Sequence, residues 1–330
     1  TRINNTINVF HPRVRQEVCA WLERVSTALR GDKRILGYEL VEESALRFDV
    51  SEPNSAKVQA RYGGYSKAAV AAFQQRLEKT YRSVEALNRQ WATGYESFAR
   101  IAPPAELQRR EPAWEGPEVA LLTAFQEFRA AEHAEYFRQM VAALHRGDPT
   151  RPVIPQFTTP LFGDPLGAVD LSRMAEGGWD VLSFHTDTAF PYLHSLARYN
   201  GRPIWNDEYI WSDRAPRAET SEQALRARAA SLLWRNLMWG ARGLVLFNLD
   251  FAWNHPKAAG DWNNDLLSQA SGGRVPRYAA GAFPQILQKV GSLFDELCDS
   301  EVVDEGLLIL EPTTSLYAAV PTGTTQWWAR

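Results

Sequence analysis

The chain has 330 residues and a formal net charge of −3, and 45% of its residues are hydrophobic and 23% are charged, which is ordinary for a globular protein of one large or two smaller domains. Its basic residues are dispersed and its longest apolar runs, such as residues 244–249, are too short to span a bilayer, so we expect neither a nucleic-acid nor a membrane partner. The chain has two cysteines, Cys19 and Cys298, which are too few for a disulfide framework or a structural zinc site. The N-terminal residues do not indicate a cellular location.

Short strands alternate with amphipathic helices along the chain, according to its apolar periodicity. The predicted strands cover residues 34–41, 151–157, 180–185, 202–209 and 243–249. The predicted helices cover residues 12–28, 67–80, 117–146, 169–176, 190–199, 221–239 and 278–297. This alternation predicts an α/β fold with parallel strands and right-handed crossovers.

Two α/β architectures fit that order. A doubly wound nucleotide-binding sheet would begin with a glycine-rich turn, and the sequence contains neither G-x-G-x-x-G nor a Walker motif. A (β/α)8 barrel instead places its chemistry at the carboxyl ends of several strands. Polar residues follow the predicted strands at those ends: Glu42, Glu43, Gln156, His185, Asp187, Asn206, Asp207, Glu208, Asn248 and Asp250. We therefore predict a partial (β/α)8 TIM barrel.

Two predicted strands end in carboxylates, at Glu42 and Glu43 and at Asp207 and Glu208. Because side chains alternate along a strand, Asn206 and Glu208 are expected to share one face, and Glu43 is expected to face away from Glu42. Glycoside hydrolysis uses two facing carboxylates, about 5–5.5 Å apart in retaining enzymes and about 6.5–9.5 Å apart in inverting ones. The sequence leaves that separation open.

Twelve tryptophans are a further feature, and several of them lie near strand ends. They are interpreted either as large core side chains or as stacking surfaces for sugar rings. Both interpretations stay open at this point.

Four segments match the sequence patterns of one enzyme family. Residues 37–43 (GYELVEE) align with a strand pattern G-W-Q-I-D-N-E, residues 202–208 (RPIWNDE) with K-P-x-W-x-x-E, and residues 243–249 (GLVLFNL) with G-x-L-F-F-Q-W. Residues 73–104 contain an L-N-x-x-W core, in which Asn88 and Trp91 are interpreted as structural. In these segments the chain resembles glycoside hydrolase family 42, the β-galactosidases of clan A, whose catalytic barrel is similar to residues 10–250 and whose fourth, seventh and eighth strands carry the three strand patterns.

The resemblance implies a retaining double displacement with Glu43 as the general acid/base and Glu208 as the nucleophile. It also implies a carbohydrate substrate and neither a cofactor nor a metal, because the family's zinc-binding cysteines have no counterparts. The residues expected to contact the substrate or position the nucleophile are Glu42, Gln156, His185, Tyr209, Trp211, Asn248 and Trp253.

The same resemblance predicts the domain organisation. Residues 1–299 are expected to form the C-terminal portion of the catalytic barrel, strands four to eight with their helices, so that the chain begins inside the barrel. Residues 300–330 are expected to open a second, oligomerisation-type domain, which implies a homo-oligomer assembled through the region that follows.

Two positions depart from the family pattern. Glu42 replaces the Asn that precedes the acid/base and hydrogen-bonds the sugar 2-hydroxyl, and Leu249 replaces a Trp for which Trp253 can substitute. Glu42 favours an alternative in which another clan A β-glycosidase acts on a different sugar; a second alternative is a non-catalytic carbohydrate-binding barrel. A metal-dependent hydrolase is disfavoured, because His185 and Asp187 have no third ligand at suitable spacing.

Overall fold

The computed structural model describes residues 8–40, 46, 63–107, 115–156, 163–164, 167–184, 190–210, 222–247, 285, 288–293, 296–297 and 300. These residues form two compact units, of which the first ends at Asp180 and the second begins at Val181. The predicted opening of another domain over residues 301–330 lies outside the described residues, as does most of the helix predicted over residues 278–297.

The first unit is rich in helices. Its elements in chain order are α1 (Pro12–Leu29), β1 (Tyr38–Glu39), α2 (Lys67–Tyr81), α3 (Val84–Trp91), a 3-10 turn (Phe98–Arg100), α4 (Pro117–Gly147), β2 (Val153–Ile154), β3 (Gly163–Asp164), β4 (Val169–Asp170) and α5 (Leu171–Ala175). Strands β1 and β2 pair in parallel, with Tyr38 opposite Val153 and Glu39 opposite Ile154. Strands β3 and β4 form an antiparallel pair.

Local sequence explains where these helices begin and end. Ser66 and Ser83 precede α2 and α3, and each side chain accepts a hydrogen bond from a backbone N–H of the first turn. Proline occupies the first turn of both α1 and α4, where its missing N–H costs no helical hydrogen bond. Helix α2 ends at Arg82 in the left-handed conformation, so the chain turns directly into α3.

An aromatic cluster on α2 and α4 forms the centre of the first unit. The ring of Phe73 lies 5.2 Å from that of Phe125 and 5.4 Å from that of Phe128, in edge-on and tilted arrangements. Further along α4, the ring of Phe137 lies 5.5 Å from that of Trp179. All five side chains are buried, so α4 is the helix against which this unit packs.

The second unit is a parallel β-sheet with its connecting helices. Its elements are β5 (Leu182–Phe184), α6 (Phe190–Asn200), β6 (Ile204–Ile210), α7 (Glu222–Met238) and β7 (Ala241–Phe247). The strand order is β5-β6-β7, and both pairs are parallel. In the described residues, a helix lies between each pair of consecutive strands, as in the β-α-β units of α/β proteins.

The observed elements confirm the predicted α/β fold with helices and parallel strands. All five predicted strands are present, although β1 and β2 are only two residues long, and α1, α2, α4, α6 and α7 match their predicted bounds within two residues. The short β3–β4 pair was not predicted, because two-residue strands show no alternation. No helix in the described part of the chain combines the length and apolarity that a bilayer crossing requires.

Candidate active site

Strand β1 leads towards the predicted acid/base, and its first side chain is turned towards the helices. The Tyr38 hydroxyl donates a hydrogen bond to Asp148 Oδ2, 2.9 Å away, just beyond the end of α4. Burial, together with the neighbouring Asp148 carboxylate, raises the pKa of Tyr38 to about 12. Because side chains alternate, Glu39 takes the opposite face of β1.

The close approach of β1 to β2 depends on Gly37. A Cβ atom at this position would lie 2.9 Å from the carbonyl oxygen of Pro152. That carbonyl accepts the backbone N–H of Tyr38 at 2.8 Å. The glycine that begins the fourth-strand motif is therefore required by the pairing of the two strands.

Gln156 lies two residues beyond β2 and is one of the predicted substrate contacts. Counting by twos from Ile154, which pairs with Glu39, assigns Gln156 to the Glu39 face. Its side chain is only 7% exposed, and among the described residues its Oε1 is buried without a hydrogen-bond partner. A buried acceptor of this kind is unfavourable by about 1–3 kcal/mol until a donor binds it, so Gln156 can accept a ligand hydroxyl.

Strand β6 carries a β-bulge at Asp207 and Glu208. Asn206 pairs with Leu244 and Tyr209 pairs with Leu246, so three steps along β6 correspond to two along β7. An extra residue of this kind interrupts the alternation of side chains. The predicted common face of Asn206 and Glu208 assumed a regular strand, and the bulge removes that premise.

Buried side-chain hydrogen bonds lie on either side of this bulged segment. Asn206 Nδ2 donates to Asn236 Oδ1 of α7 at 2.8 Å, whereas Asp207 Oδ2 accepts from the Ser183 hydroxyl of β5 at 2.5 Å. All four side chains are at most 4% exposed. Sequence analysis did not predict these pairs; the only signal was a polar Ser183 inside the apolar run DVLSFH.

Trp205 and Gly243 face each other across β6 and β7. They are register partners, and a Cβ atom on Gly243 would lie 2.5 Å from the Trp205 indole. The glycine of the eighth-strand motif thus makes room for the tryptophan of the seventh-strand motif. This contact gives a steric reason for both family signatures.

Asn88 and Trp91, from the L-N-x-x-W motif, bind the turn that follows α3 and the end of α2, respectively. Asn88 Nδ2 donates to the Tyr95 carbonyl oxygen, and Asn88 Oδ1 accepts from the Thr93 hydroxyl and the Tyr95 N–H, all at 2.9 Å. Trp91 Nε1 donates to the Tyr81 hydroxyl at 2.9 Å. These contacts agree with the structural role predicted for both residues.

The other predicted site residues fall into two groups. Glu208 and Tyr209 belong to β6 by their backbone. The remaining ones lie outside the described residues: Glu42, Glu43, His185, Trp211, Asn248 and Trp253. Within the described ranges, no three His, Cys, Asp or Glu side chains come together as a metal site would require.

Comparisons with known proteins place these features in a family. The model of glycoside hydrolase family 42, described as β-galactosidase, matches residues 4–217. No curated protein matched the sequence.

Solved structures of glycosidases resemble the chain in fold. A β-galactosidase from the Antarctic haloarchaeon Halorubrum lacusprofundi is 17% identical, with a TM-score of 0.66 over 97% of this chain and 48% of that one. A cold-adapted β-galactosidase from Rahnella sp. R3 is 13% identical, with a TM-score of 0.68 over 94% and 43%. An exo-carrageenase of family 42 from Bacteroides ovatus is 15% identical, with a TM-score of 0.64 over 88% and 40%. The chain therefore spans about half the length of these proteins or less.

Proposed function

Because the chain belongs to glycoside hydrolase family 42, we propose that it supplies both catalytic carboxylates of a retaining glycoside hydrolase that removes terminal β-galactosyl residues. The observation that carries this proposal is the family match over residues 4–217, a range that contains both Glu43 and Glu208. In this proposal, β1, β2, β5, β6 and β7 are strands four to eight of a (β/α)8 barrel, and residues 300–330 open a second domain.

The reaction proceeds in two displacements. Protonated Glu43 donates its proton to the glycosidic oxygen while the Glu208 carboxylate attacks the anomeric carbon, which releases the aglycone and leaves a covalent glycosyl-enzyme. Glu43 then takes a proton from water, the water attacks the same carbon, and the bond to Glu208 breaks. The sugar leaves with its original anomeric configuration.

The pairing of β1 with β2 supports a sugar-hydroxyl site at Gln156. Tyr38 is bound to Asp148 on the helix side, so Glu39 takes the other face of β1. Gln156 has the parity of Ile154, the partner of Glu39, so a buried acceptor for a sugar hydroxyl lies on the face opposite the helices.

The bulge in β6 supports the role of Glu208. Bulges are frequent next to active sites, where they redirect a side chain at the end of a strand. The irregular step between Asn206 and Tyr209 includes Glu208. The proposed nucleophile thus lies where the backbone departs from regular pairing.

A second candidate is a family 42 enzyme that acts on a different β-linked sugar. Glu42 favours it, because a carboxylate accepts hydrogen bonds from hydroxyls but donates none as an amide would. Structural neighbours that include an exo-carrageenase and an exo-β-agarase support a range of substrates on this fold. Aryl glycosides of several sugars, assayed side by side, distinguish the two candidates.

Replacement of the nucleophile tests the mechanism. Glu208→Gly should lower kcat on an aryl β-galactoside by about 10⁴-fold or more, and azide should restore turnover as an α-galactosyl azide. Activity that survives the substitution would contradict the assignment. A wild-type protein that binds sugar but hydrolyses none of the aryl glycosides would instead indicate a binding module.

Replacement of the acid/base has a matched control nearby in the sequence. Glu43→Gln should lower kcat/KM by about 10²–10⁴-fold on substrates whose leaving group needs protonation, and much less on a dinitrophenyl glycoside. Glu39→Gln removes an exposed carboxylate four residues earlier in the chain and should leave activity unchanged. Equal losses in the two variants would overturn the role of Glu43.

A further inference from the structure

A buried carboxylate directly precedes the proposed nucleophile. Asp207 is 4% exposed and Ser183, which donates to it, is 2% exposed. Ser183 Oγ donates to Asp207 Oδ2 at 2.5 Å. A buried carboxyl group is unfavourable unless it is hydrogen-bonded, so a hydrophobic side chain would be the simpler solution if packing were its only task.

The Ser183–Asp207 hydrogen bond reaches the irregular part of β6. In the described residues, β5 pairs with β6 from Leu182 opposite Ile204 to Phe184 opposite Asn206. On the other side of β6, the ladder with β7 is irregular from Asn206 to Tyr209. The side-chain bond from Ser183 therefore ties the first residue of the bulge to β5.

The Ser183–Asp207 hydrogen bond lies on the face of β6 opposite α7. Ser183 pairs with Trp205, so these two side chains share a face, and Asp207 is bound to Ser183 on that face. Asn206, on the other face, is bound to Asn236 of α7. Trp205 has the parity of Asp207 and lies against Gly243. The face of β6 opposite α7 thus carries a fixed aromatic ring and a fixed carboxylate immediately before Glu208.

We propose that Asp207, held by the Ser183 hydroxyl, is a positioning residue that fixes the β-bulge from which Glu208 attacks the anomeric carbon. This inference rests on the proposed role of Glu208. Asp207 acts through the backbone of its neighbour and contacts neither the substrate nor the reacting atoms. Loss of the hydrogen bond displaces Glu208 from its line of attack while the sugar site keeps its affinity.

The chain offers a matched pair of variants for the test. Ser183→Ala removes the partner of Asp207 on one face of β6, and Asn236→Ala removes the partner of Asn206 on the other. We expect Ser183→Ala to lower kcat on an aryl β-galactoside by about 10- to 100-fold, with KM within about twofold of the wild-type value. Asn236→Ala should lower the Tm to a similar extent and leave kcat unchanged.

Three further variants test the Ser183 hydroxyl and the Asp207 carboxylate separately. Ser183→Thr keeps the hydroxyl and should retain the wild-type kcat, whereas Asp207→Asn keeps an acceptor oxygen and should retain more activity than Asp207→Ala. Burst-phase kinetics then locate the defect, which should be in formation of the glycosyl-enzyme. If Ser183→Ala and Asn236→Ala change kcat equally, or if kcat falls only with the folded fraction, the proposal is overturned.

The outcome is distinguishable from a failure of the proposed function. If Glu208→Gly is inactive and azide restores its turnover, the nucleophile assignment stands whatever Ser183→Ala does. A Ser183→Ala variant with wild-type kcat then refutes the positioning role alone. If Glu208→Gly keeps its activity, both proposals fail together.

Discussion

Arg129 in the first unit and Asp207 in the second are buried polar side chains with different partners. In the first unit, Arg129 donates from Nε to the Gly63 carbonyl at 2.7 Å and from Nη2 to the Leu46 carbonyl at 3.0 Å. In the second unit, the buried polar groups of β6 bind other side chains, as Ser183 and Asp207 do. Anchors to the backbone hold the path of the chain, whereas pairs of side chains hold the orientation of individual functional groups.

The comparison leads to different expectations for mutations. Removal of a backbone anchor leaves carbonyl groups buried without donors, so its main effect should be on stability. Removal of a side-chain partner next to the proposed nucleophile should change turnover more than stability. The following predictions test this contrast.

Arg129→Met should have the largest effect, because Arg129 is completely buried and supports the carbonyls of Leu46 and Gly63. We expect the free energy of unfolding to fall by about 3–5 kcal/mol. Arg138→Met on the same helix is the control: its side chain is 56% exposed and pairs with Glu135, so it should change stability by less than about 1 kcal/mol. Urea denaturation of both variants measures the difference, and equal midpoints would contradict the anchoring role.

His133 should make the first unit sensitive to acid. Its Nδ1 lies 2.9 Å from the Ala168 carbonyl oxygen, and burial, with smaller contributions from Arg129 and Arg15, lowers its pKa from 6.5 to about 4. The unfolded chain therefore binds the proton more tightly, so the stabilisation is complete above pH 6.5 and is lost as the pH falls towards 4, by about 3 kcal/mol in total.

His133→Gln provides the comparison for this pH dependence. Glutamine keeps a donor for Ala168 but carries no charge at any of these pH values. The wild-type free energy of unfolding should thus fall more steeply between pH 6.5 and 4 than that of the variant. If the free energy of unfolding fell equally with pH in both proteins, His133 would not take up a proton when the protein unfolds.

Gly243→Ala should affect both stability and turnover. The new methyl group would lie 2.5 Å from the Trp205 indole, and the strain of overpacking should destabilise the protein by about 2 kcal/mol. Because Trp205 precedes the bulge on β6, kcat should fall as well. A variant that loses stability but keeps its kcat would show that this face of the sheet tolerates movement of the ring.

Ser83→Ala should have the smallest effect and should leave turnover unchanged. The Ser83 side chain accepts a hydrogen bond from the Ala86 N–H at 3.2 Å and caps α3. Its removal should lower the free energy of unfolding by about 1 kcal/mol. A measurable loss of kcat would break the proposed contrast between structural anchors and residues next to the nucleophile.

The sequence by itself determined most of the element order. Helices such as α2 and α4 follow from apolar spacing and from serine and proline at their first turns, all of which are local properties. The family motifs also contain Gly37 and Gly243, but only the structure shows which neighbouring atoms exclude a larger side chain there.

Tertiary structure decided the bulge and the buried pairs. A bulge is defined by the register between two strands, so RPIWNDEY reads as a regular alternating strand until its pairing with β7 is known. Ser183 and Asp207 are 24 residues apart, and Arg129 lies 83 residues from Leu46. Local sequence patterns do not predict such partners, because only long-range packing brings them within hydrogen-bonding distance.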